Sequence, residues 1–152
     1  MITPDRIEEA PARRLVGANG RYTKDTRGGI PRQWGNWDYA ALTGVVGELV
    51  FGVSHGFAPG SFQYLCGMEV SADAPVPEGQ IELCLPSGPH AVFVHQGHVS
   101  GIATMFDRVL NGAHLGDGWV MAPGPQYEVY TEDFDPQTAT GKVELWFPIE
   151  QV

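Results

Sequence analysis

The sequence predicts an α+β domain of duplicated β-α-β-β units, which form a curved antiparallel sheet with two helices on one face and a ligand groove on the other. Short strand-like runs bounded by glycine and proline turns indicate the sheet. Two segments with helical spacing each follow a strand, so the same order of elements occurs twice. A length of 152 residues, 43% of them hydrophobic, suits a single domain over residues 1–152. Its pseudo-repeats are expected at about 12–71 and 81–150.

The amino-terminal segment is expected to reach the first strand without much fixed structure. Residues 1–11 are charged and contain two prolines, and chain termini of this kind are often loosely held. Residues 12–23 then predict a strand. Gly17 and Gly20 weaken its signal and mark a bulge or a close approach by other atoms.

A first helix is predicted from Pro31 to Gly44. Proline suits the first turn of a helix, and Trp34 and Trp37 begin a series of apolar residues at helical spacing. The two tryptophans lie three apart and share one face of this helix. They either belong to the core, or one of them forms a wall of a ligand site.

Three further strands follow this helix. They are predicted at 48–53, 62–70 and 81–85, separated by a turn at 56–60 and a proline-rich connection at 71–79. The order strand, helix, strand, strand is complete at residue 70, and the strand at 81–85 leads into the second half of the chain.

The second unit repeats this order. A strand at 90–95 precedes a helix at 99–110, which Asn111-Gly112 closes. Two more strands are predicted at 126–131 and 142–149, with a polar loop between them. The last strand is apolar on both faces, which suits a central or doubly covered position in the sheet.

The main candidate for a functional side chain is Glu128, an acid set between two tyrosines in a predicted strand. Because strand side chains alternate, Glu128 shares a face with Gln126 and Tyr130. Its carboxylate lies either on a solvated face or in an aromatic-lined hollow. Such a hollow would suit a cationic organic ligand, because the negative charge and the ring quadrupoles attract the cation while apolar walls hold the rest.

Charge and composition limit the partners. A formal net charge of −9, with nine lysines and arginines, disfavours direct binding of nucleic acid, which requires clustered basic residues. No apolar run approaches the length of a membrane span, and no signal-peptide pattern is present. A cytoplasmic location without membrane association is therefore expected.

Two sequence patterns could indicate other chemistry, namely a hydrolase nucleophile and a metal site. Residues 52–56 fit the Gly-x-Ser-x-Gly pattern of a hydrolase nucleophile elbow, but a turn at 57–60 follows instead of the helix that this pattern requires. His95 and His98 lie three apart but have no third ligand at the spacing of a metal site. Neither a metal nor another cofactor is expected.

The two cysteines, Cys66 and Cys84, form neither a disulfide framework nor a zinc motif. Buried free thiols are expected. If the turn between their strands centres near Pro75, however, the two residues fall roughly opposite each other in a hairpin, within reach of a disulfide bond.

Several segments of the second half resemble the GyrI-like small-molecule-binding domain, also known as the AraC-type effector-binding domain. The run from Pro86 to Gly97 reads Pro-x-Gly-x-x-Ala-Val-Phe-x-His-x-Gly, and the helix with Ile102 follows it. The strand Tyr127-Glu128-Val129-Tyr130 and the ending Val143-Glu144-Leu145-Trp146-Phe147-Pro148-Ile149 complete the match. The first half matches only in general shape, with 64–67 as the corresponding strand.

The resemblance implies a buried glutamate on the penultimate strand that contacts hydrophobic, cationic drugs, and Glu128 occupies that position. It also implies that Tyr130 shares its face and that residues of the last strand point into the same groove. Tyr127 replaces the more usual phenylalanine and should pack in much the same way. The predicted ligand-binding residues are Glu128, Tyr130, Trp146, Glu144, Trp37, Trp34, Tyr64, Met68, Phe51 and Trp119.

The resemblance further implies a stand-alone binding module for hydrophobic, cationic small molecules, which sequesters or senses drugs or toxins. Members of the family are often joined to a DNA-binding helix-turn-helix segment; none precedes Ala12, so direct transcriptional control is not expected. Two alternatives stay open: a hydrolase of cyclopropane-type toxins that uses the same glutamate, and an inhibitor that acts by contact with DNA gyrase. The resemblance does not choose among these roles, and it does not set an oligomeric state.

Overall fold

A computed structural model describes residues 2–152, so the expectation for residues 1–11 is tested from Ile2 onward. The described chain forms these strands and helices: β1 Arg6–Ala10, β2 Arg13–Tyr22, α1 Ile30–Asn36, β3 Val45–Ala58, β4 Ser61–Val70, β5 Ile81–Leu85, β6 Gly88–His98, α2 Ile102–Leu110, β7 Trp119–Met121, β8 Gln126–Asp135 and β9 Thr140–Gln151. The predicted α+β class is confirmed. Among these residues, no helix is long and apolar enough to cross a membrane.

One antiparallel sheet contains both β-α-β-β units. Its strand order is β1-β6-β9-β8-β3-β4-β2-β5, and β7 pairs with the last residues of β9. The strands β2, β3 and β4 of the first unit lie side by side, as do β6, β8 and β9 of the second. The two sets meet where β3 pairs with β8, and Gly52 lies directly opposite Glu128 at this junction.

The sheet is strongly curled, as two short connections require. Pro11-Ala12 joins β1 to β2, and Pro86-Ser87 joins β5 to β6, although each pair of strands lies toward opposite ends of the sheet order. Three Cα–Cα steps span at most roughly 11 Å, so the two edges of the sheet must approach each other. The face inside this curl holds a core cluster that includes Ala10 of β1 and Leu85 of β5.

Both helices cover the other face of the sheet. Ile102 and Val109 of α2 pack into a cluster with Phe147 of β9. The residues after α1 pack into a separate cluster, in which Trp37 lies with Cys66 of β4. The buried residues beneath the helices form two clusters, with the partly buried Trp34 and Val50 packed against both, and the helices lie on either side of the junction of β3 and β8.

Two predicted boundaries were wrong, the first of them because the deciding contacts are not local. Arg6–Ala10 forms an edge strand, since it pairs with β6 in the register Ile7 to Ala91. The first helix ends at Asn36 rather than Gly44, because Trp37 has an extended backbone with ψ of 120°. Gly35 and Asn36 are weak helix formers, which is consistent with this early end.

The strands around the predicted turns are longer than expected. β3 continues to Ala58 through Gly56, whose positive φ of 56° bends the strand near its end. β8 and β9 extend into the predicted polar loop, as far as Asp135 and from Thr140. Residues 119–121 form the short strand β7, which was not among the predicted strands.

The two cysteines do not face each other, because β2 lies between their strands. Cys66 pairs with Ala18 and Cys84 pairs with Arg14, so both are neighbours of β2. Both are free thiols; Cys66 is buried, but Cys84 is exposed, which corrects the expectation for Cys84. Burial raises the pKa of the Cys66 thiol to about 12, so this group is uncharged at neutral pH.

Candidate functional site

A groove of about 1650 Å³ lies between α1 and α2 on the helical face of the sheet. Its position corrects the prediction that a groove would lie on the face opposite the helices. The helices pack over separate clusters, so the sheet junction between them remains uncovered and forms the floor. The floor includes Val50, Ser54, Tyr64, Gln126, Glu128 and Tyr130, and the walls include Ile30, Pro31 and Trp34 of α1 and Ile102, Ala103 and Phe106 of α2.

Glu128 lies at the floor of this groove and is only 6% exposed. Its Oε1 accepts two hydrogen bonds, from Tyr130 Oη at 2.6 Å and from Tyr64 Oη at 3.0 Å. Trp34 Nε1 in turn donates to Tyr64 Oη at 3.1 Å. One carboxylate oxygen is therefore held directly by residues of β4 and β8, and Trp34 of α1 positions Tyr64.

The second oxygen of this carboxylate, Oε2, is available to a ligand. Within residues 2–152, no side chain or backbone group donates a hydrogen bond to it, and no cationic side chain forms an ion pair with Glu128. The described chain also contains no fully buried side-chain oxygen or nitrogen without a partner. Oε2 must therefore reach the open space of the groove.

Burial raises the pKa of Glu128 to about 7, against the opposing effect of the two tyrosine hydrogen bonds. The carboxyl group therefore titrates near neutral pH rather than near its ordinary value of 4.5. Burial also raises the pKa of Tyr64 and of Tyr130, so both hydroxyls stay protonated and act as donors. A cation beside Oε2 would favour the ionised form.

Gly52 makes this arrangement possible, which the sequence did not reveal. A Cβ atom at this position would lie 2.1 Å from Tyr64 Oη and 2.9 Å from Glu128 Oε1. Both distances are far below van der Waals contact, so only glycine leaves room for the hydrogen bond between these residues. A glycine inside a strand was the available signal, since it often marks a close approach by other atoms.

The nucleophile-elbow pattern has no structural basis, because residues 52–56 lie within the continuous strand β3. Adjacent strand residues point to opposite faces, so Ser54 faces the groove while His55 points away from it. His55 Nε2 lies 2.8 Å from Asn19 Oδ1 instead. Among the described residues, no three His, Cys, Asp or Glu side chains are grouped to hold a metal ion.

Four of the predicted site residues meet in the groove: Glu128, Tyr130, Trp34 and Tyr64. Trp37 is buried behind Trp34, with the two rings edge to face at 5.9 Å. Met68 and Trp119 pack against the clusters near α1 and α2, and neither lines the groove. The contributions of α2, such as Ile102 and Phe106, were missed because helical spacing alone does not separate core from groove positions.

Three predicted residues lie on the opposite face of the sheet: Phe51, Glu144 and Trp146. The register explains this correction, because Glu128 pairs with Leu145 and Gly52. Their neighbours in β9 and β3 therefore point the other way. There, Trp146 stacks on Tyr127 with ring centroids 5.9 Å apart.

Charged side chains surround the mouth of the groove. Glu48 and Glu132 line it from β3 and β8, and both are exposed. Arg27, just before α1, donates to Asp107 of α2 at 3.2 and 3.4 Å. This ion pair connects the two helical sides of the groove across its rim.

An aromatic groove between two helices, with a buried carboxylate at its floor, defines a small-molecule-binding domain. The chain belongs to the family of GyrI-like small molecule binding domains, whose model matches residues 4–150. The resemblance noted in the sequence is thereby confirmed.

Relatives of known sequence or structure include a transcriptional regulator and two proteins of solved structure. The chain is 29% identical over 147 residues to the transcriptional regulator BrlR of Pseudomonas aeruginosa, covering 95% of this chain and 54% of BrlR. It therefore spans about half the length of that regulator. SAV2435 bound to tetraphenylphosphonium matches with a TM-score of 0.73 and 19% identity over 95% of this chain and 93% of that one. The integron cassette protein VCH_CASS2 of Vibrio cholerae matches with a TM-score of 0.68 and 15% identity, over 95% of each chain.

Proposed function

We propose that this protein binds hydrophobic organic cations in the groove and that Glu128 supplies the charge that selects them. The observation that carries the proposal is a carboxylate that is 6% exposed, with one oxygen open to the groove. Within the described chain it has no ion-pair partner. An unpaired charge is costly to bury, and a bound cation offsets that cost.

The aromatic residues around Glu128 add to this preference. The Trp34 ring lies 5.4 Å from that of Tyr130 and 6.3 Å from that of Tyr64, each nearly perpendicular to it. Ring faces attract cations and also bury the apolar groups of a lipophilic ligand. The tetraphenylphosphonium bound to SAV2435, which shares this fold, supports the choice of ligand class. Binding of this kind serves to sequester or sense drugs and toxins.

Tetraphenylphosphonium and tetraphenylborate test the proposal, because they share size and shape but carry opposite charges. At about 100 times its dissociation constant, the phosphonium is expected to raise the melting temperature by roughly 5–10 °C. The borate is expected to give no rise, since its charge would meet the carboxylate. Equal shifts from both ions, or none from either, would refute selection by Glu128.

The affinity for tetraphenylphosphonium is expected to increase with pH through about 7. Below that pH, Glu128 is mostly protonated, because burial raises its pKa to about 7, and a cation must displace the proton. From pH 8 to pH 6 the affinity should fall about tenfold, in proportion to the ionised fraction. Isothermal titration calorimetry at both pH values measures this change. An affinity that is the same at both would count against a role for this carboxylate.

A second candidate function is hydrolysis of electrophilic cyclopropane-type toxins, which the pKa of about 7 for Glu128 favours, because it suits a general base. Water would add to one carbon of the strained ring, and the proton taken up by Glu128 would pass to the carbon released. Incubation with such a substrate should then show ring opening that Glu128→Gln removes. Unchanged substrate after prolonged incubation would leave binding as the sole function of the groove.

A further inference from the structure

A second, smaller cavity of about 190 Å³ lies on the opposite face of the sheet, inside its curl. Its aromatic walls are Phe51, Tyr127 and Trp146, and Arg6 and Arg13 lie at its edge. Tyr127 follows Gln126 and precedes Glu128 in β8, so its side chain points away from the groove. The cavity is thus separate from the proposed cation site.

The hydroxyl of Tyr127 is the unexplained group in this cavity. The residue is 3% exposed, and within residues 2–152 its Oη forms no hydrogen bond with a side chain or the backbone. No described polar side-chain atom is both fully buried and unpartnered, so Oη opens into the cavity that it lines. Burial raises the pKa of Tyr127, which leaves the hydroxyl protonated and able to donate.

The arginines supply further unused donors. Arg13 lies over the Phe51 ring at 5.4 Å and donates from Nη1 to Glu69 at 2.6 Å. A guanidinium has five N–H donors, so Arg13 keeps several for a ligand. Arg6, over the Trp146 ring at 5.6 Å, is more fully paired, with Glu8 and Glu144.

The acceptors that line this cavity are, in contrast, largely occupied. Glu144 accepts from Trp146 Nε1 at 3.1 Å and pairs with Arg6 at 2.9 Å. Glu8 pairs with Arg6 at 2.6 Å. A ligand that brings acceptor oxygens therefore matches this cavity better than one that brings donors.

We propose that this cavity binds a small aryl carboxylate. The aromatic ring packs against Tyr127 and Trp146, and the carboxylate accepts hydrogen bonds from Tyr127 Oη and the Arg13 guanidinium. Drug-sized ligands occupy pockets of roughly 300–1,000 Å³, so 190 Å³ limits the ligand to a single ring such as benzoate. The site is independent of the cation groove, and neither proposal requires the other.

Benzoate and benzylammonium are suitable probes, because they share a ring and differ in charge. Titration of the ¹⁵N-labelled chain should show saturable benzoate binding, with shifts at the Trp146 indole and along β8 and β9 near Tyr127. Benzylammonium should give no saturable shifts there. Tyr127→Phe removes only the hydroxyl and is expected to weaken benzoate binding tenfold or more, because a hydrogen bond to a charged group is lost.

Two further variants serve as a control and as a second test of benzoate binding. Tyr39→Phe alters a tyrosine that is 62% exposed and remote from the cavity, and it should leave benzoate binding unchanged. Arg13→Lys, at a side chain that is 23% exposed, should weaken benzoate binding while the fold is retained. The proposal is overturned if benzoate does not bind, shifts the Trp34 indole in the groove instead, or binds Tyr127→Phe as well as the native chain.

Discussion

Glu128→Gln is expected to abolish the stabilisation by tetraphenylphosphonium and yet to make the empty protein more stable at pH 8. The glutamine side-chain oxygen can still accept hydrogen bonds from Tyr130 and Tyr64, but the variant has no charge for the cation to pair with. Loss of a paired charge at a desolvated site commonly weakens binding a hundredfold or more. Binding and stability should therefore change in opposite directions.

The gain in stability follows from the raised pKa. In the folded protein, burial raises the pKa of Glu128 from 4.5 to about 7, so folding favours the protonated form. The contribution of protonated Glu128 to the free energy of unfolding is fully present below pH 4.5 and is lost as the pH rises through about 7. The shift corresponds to about 3 kcal/mol at pH 8, which the uncharged glutamine does not lose.

Urea unfolding at pH 4.5 and pH 8 measures this effect in both proteins. The two free energies of unfolding should be close at pH 4.5 and should diverge at pH 8, with the variant higher. Glu150→Gln, at an exposed residue of β9, serves as the matched control and should change neither stability nor binding. A variant that is less stable than the native protein at pH 8, or that still binds the phosphonium normally, would contradict this explanation.

Gly52→Ala is expected to destabilise the protein by about 2–3 kcal/mol and to weaken cation binding. The added methyl group would lie 2.1 Å from Tyr64 Oη, so the tyrosine must move and release Glu128 Oε1. Trp34 would lose its hydrogen-bond acceptor at the same time. Urea unfolding and phosphonium titration together measure both losses.

A double-mutant cycle with Tyr64→Phe tests directly whether a clash with Tyr64 Oη causes the loss of stability. Removing the hydroxyl removes the atom nearest to the new methyl group. Gly52→Ala should therefore lower the free energy of unfolding of the Tyr64→Phe protein by at least about 1 kcal/mol less than it lowers that of the native protein. Gly35→Ala is a control for glycine replacement, because an added Cβ there meets no described atom within 4 Å. It should leave stability unchanged or slightly higher. Strictly additive effects of Gly52→Ala and Tyr64→Phe would rule out the clash.

The face of β8 that carries Glu128 and Tyr130 could be predicted from the sequence, because strand alternation is a local property. Glu144 and Trp146 could not be placed in the same way. Their direction depends on Leu145 pairing with Glu128, and this register is set by contacts between distant segments. The predicted alternation of side chains within each strand was therefore correct. The predicted register between β8 and β9 was wrong.

Other differences between the predicted and the observed structure also arise from contacts between distant segments. Arg6–Ala10 becomes a strand because it pairs with β6, whose first residue, Gly88, lies 78 residues after Ala10 in the chain. The face that holds the groove depends on the separation of α1 and α2, which arises from packing over two distinct clusters. The importance of Gly52 depends on Tyr64, which reaches across from β4 to Glu128. None of these contacts between distant segments can be predicted from a local sequence pattern.

A crystal structure of the complex with tetraphenylphosphonium tests the central claim most directly. The phosphorus atom is expected within about 6 Å of the ring faces of Trp34 or Tyr130, with Glu128 Oε2 directed toward it. Density for the cation only at the acidic mouth near Glu48 and Glu132, or on the opposite face near Tyr127, would show that Glu128 is not the charge that selects it.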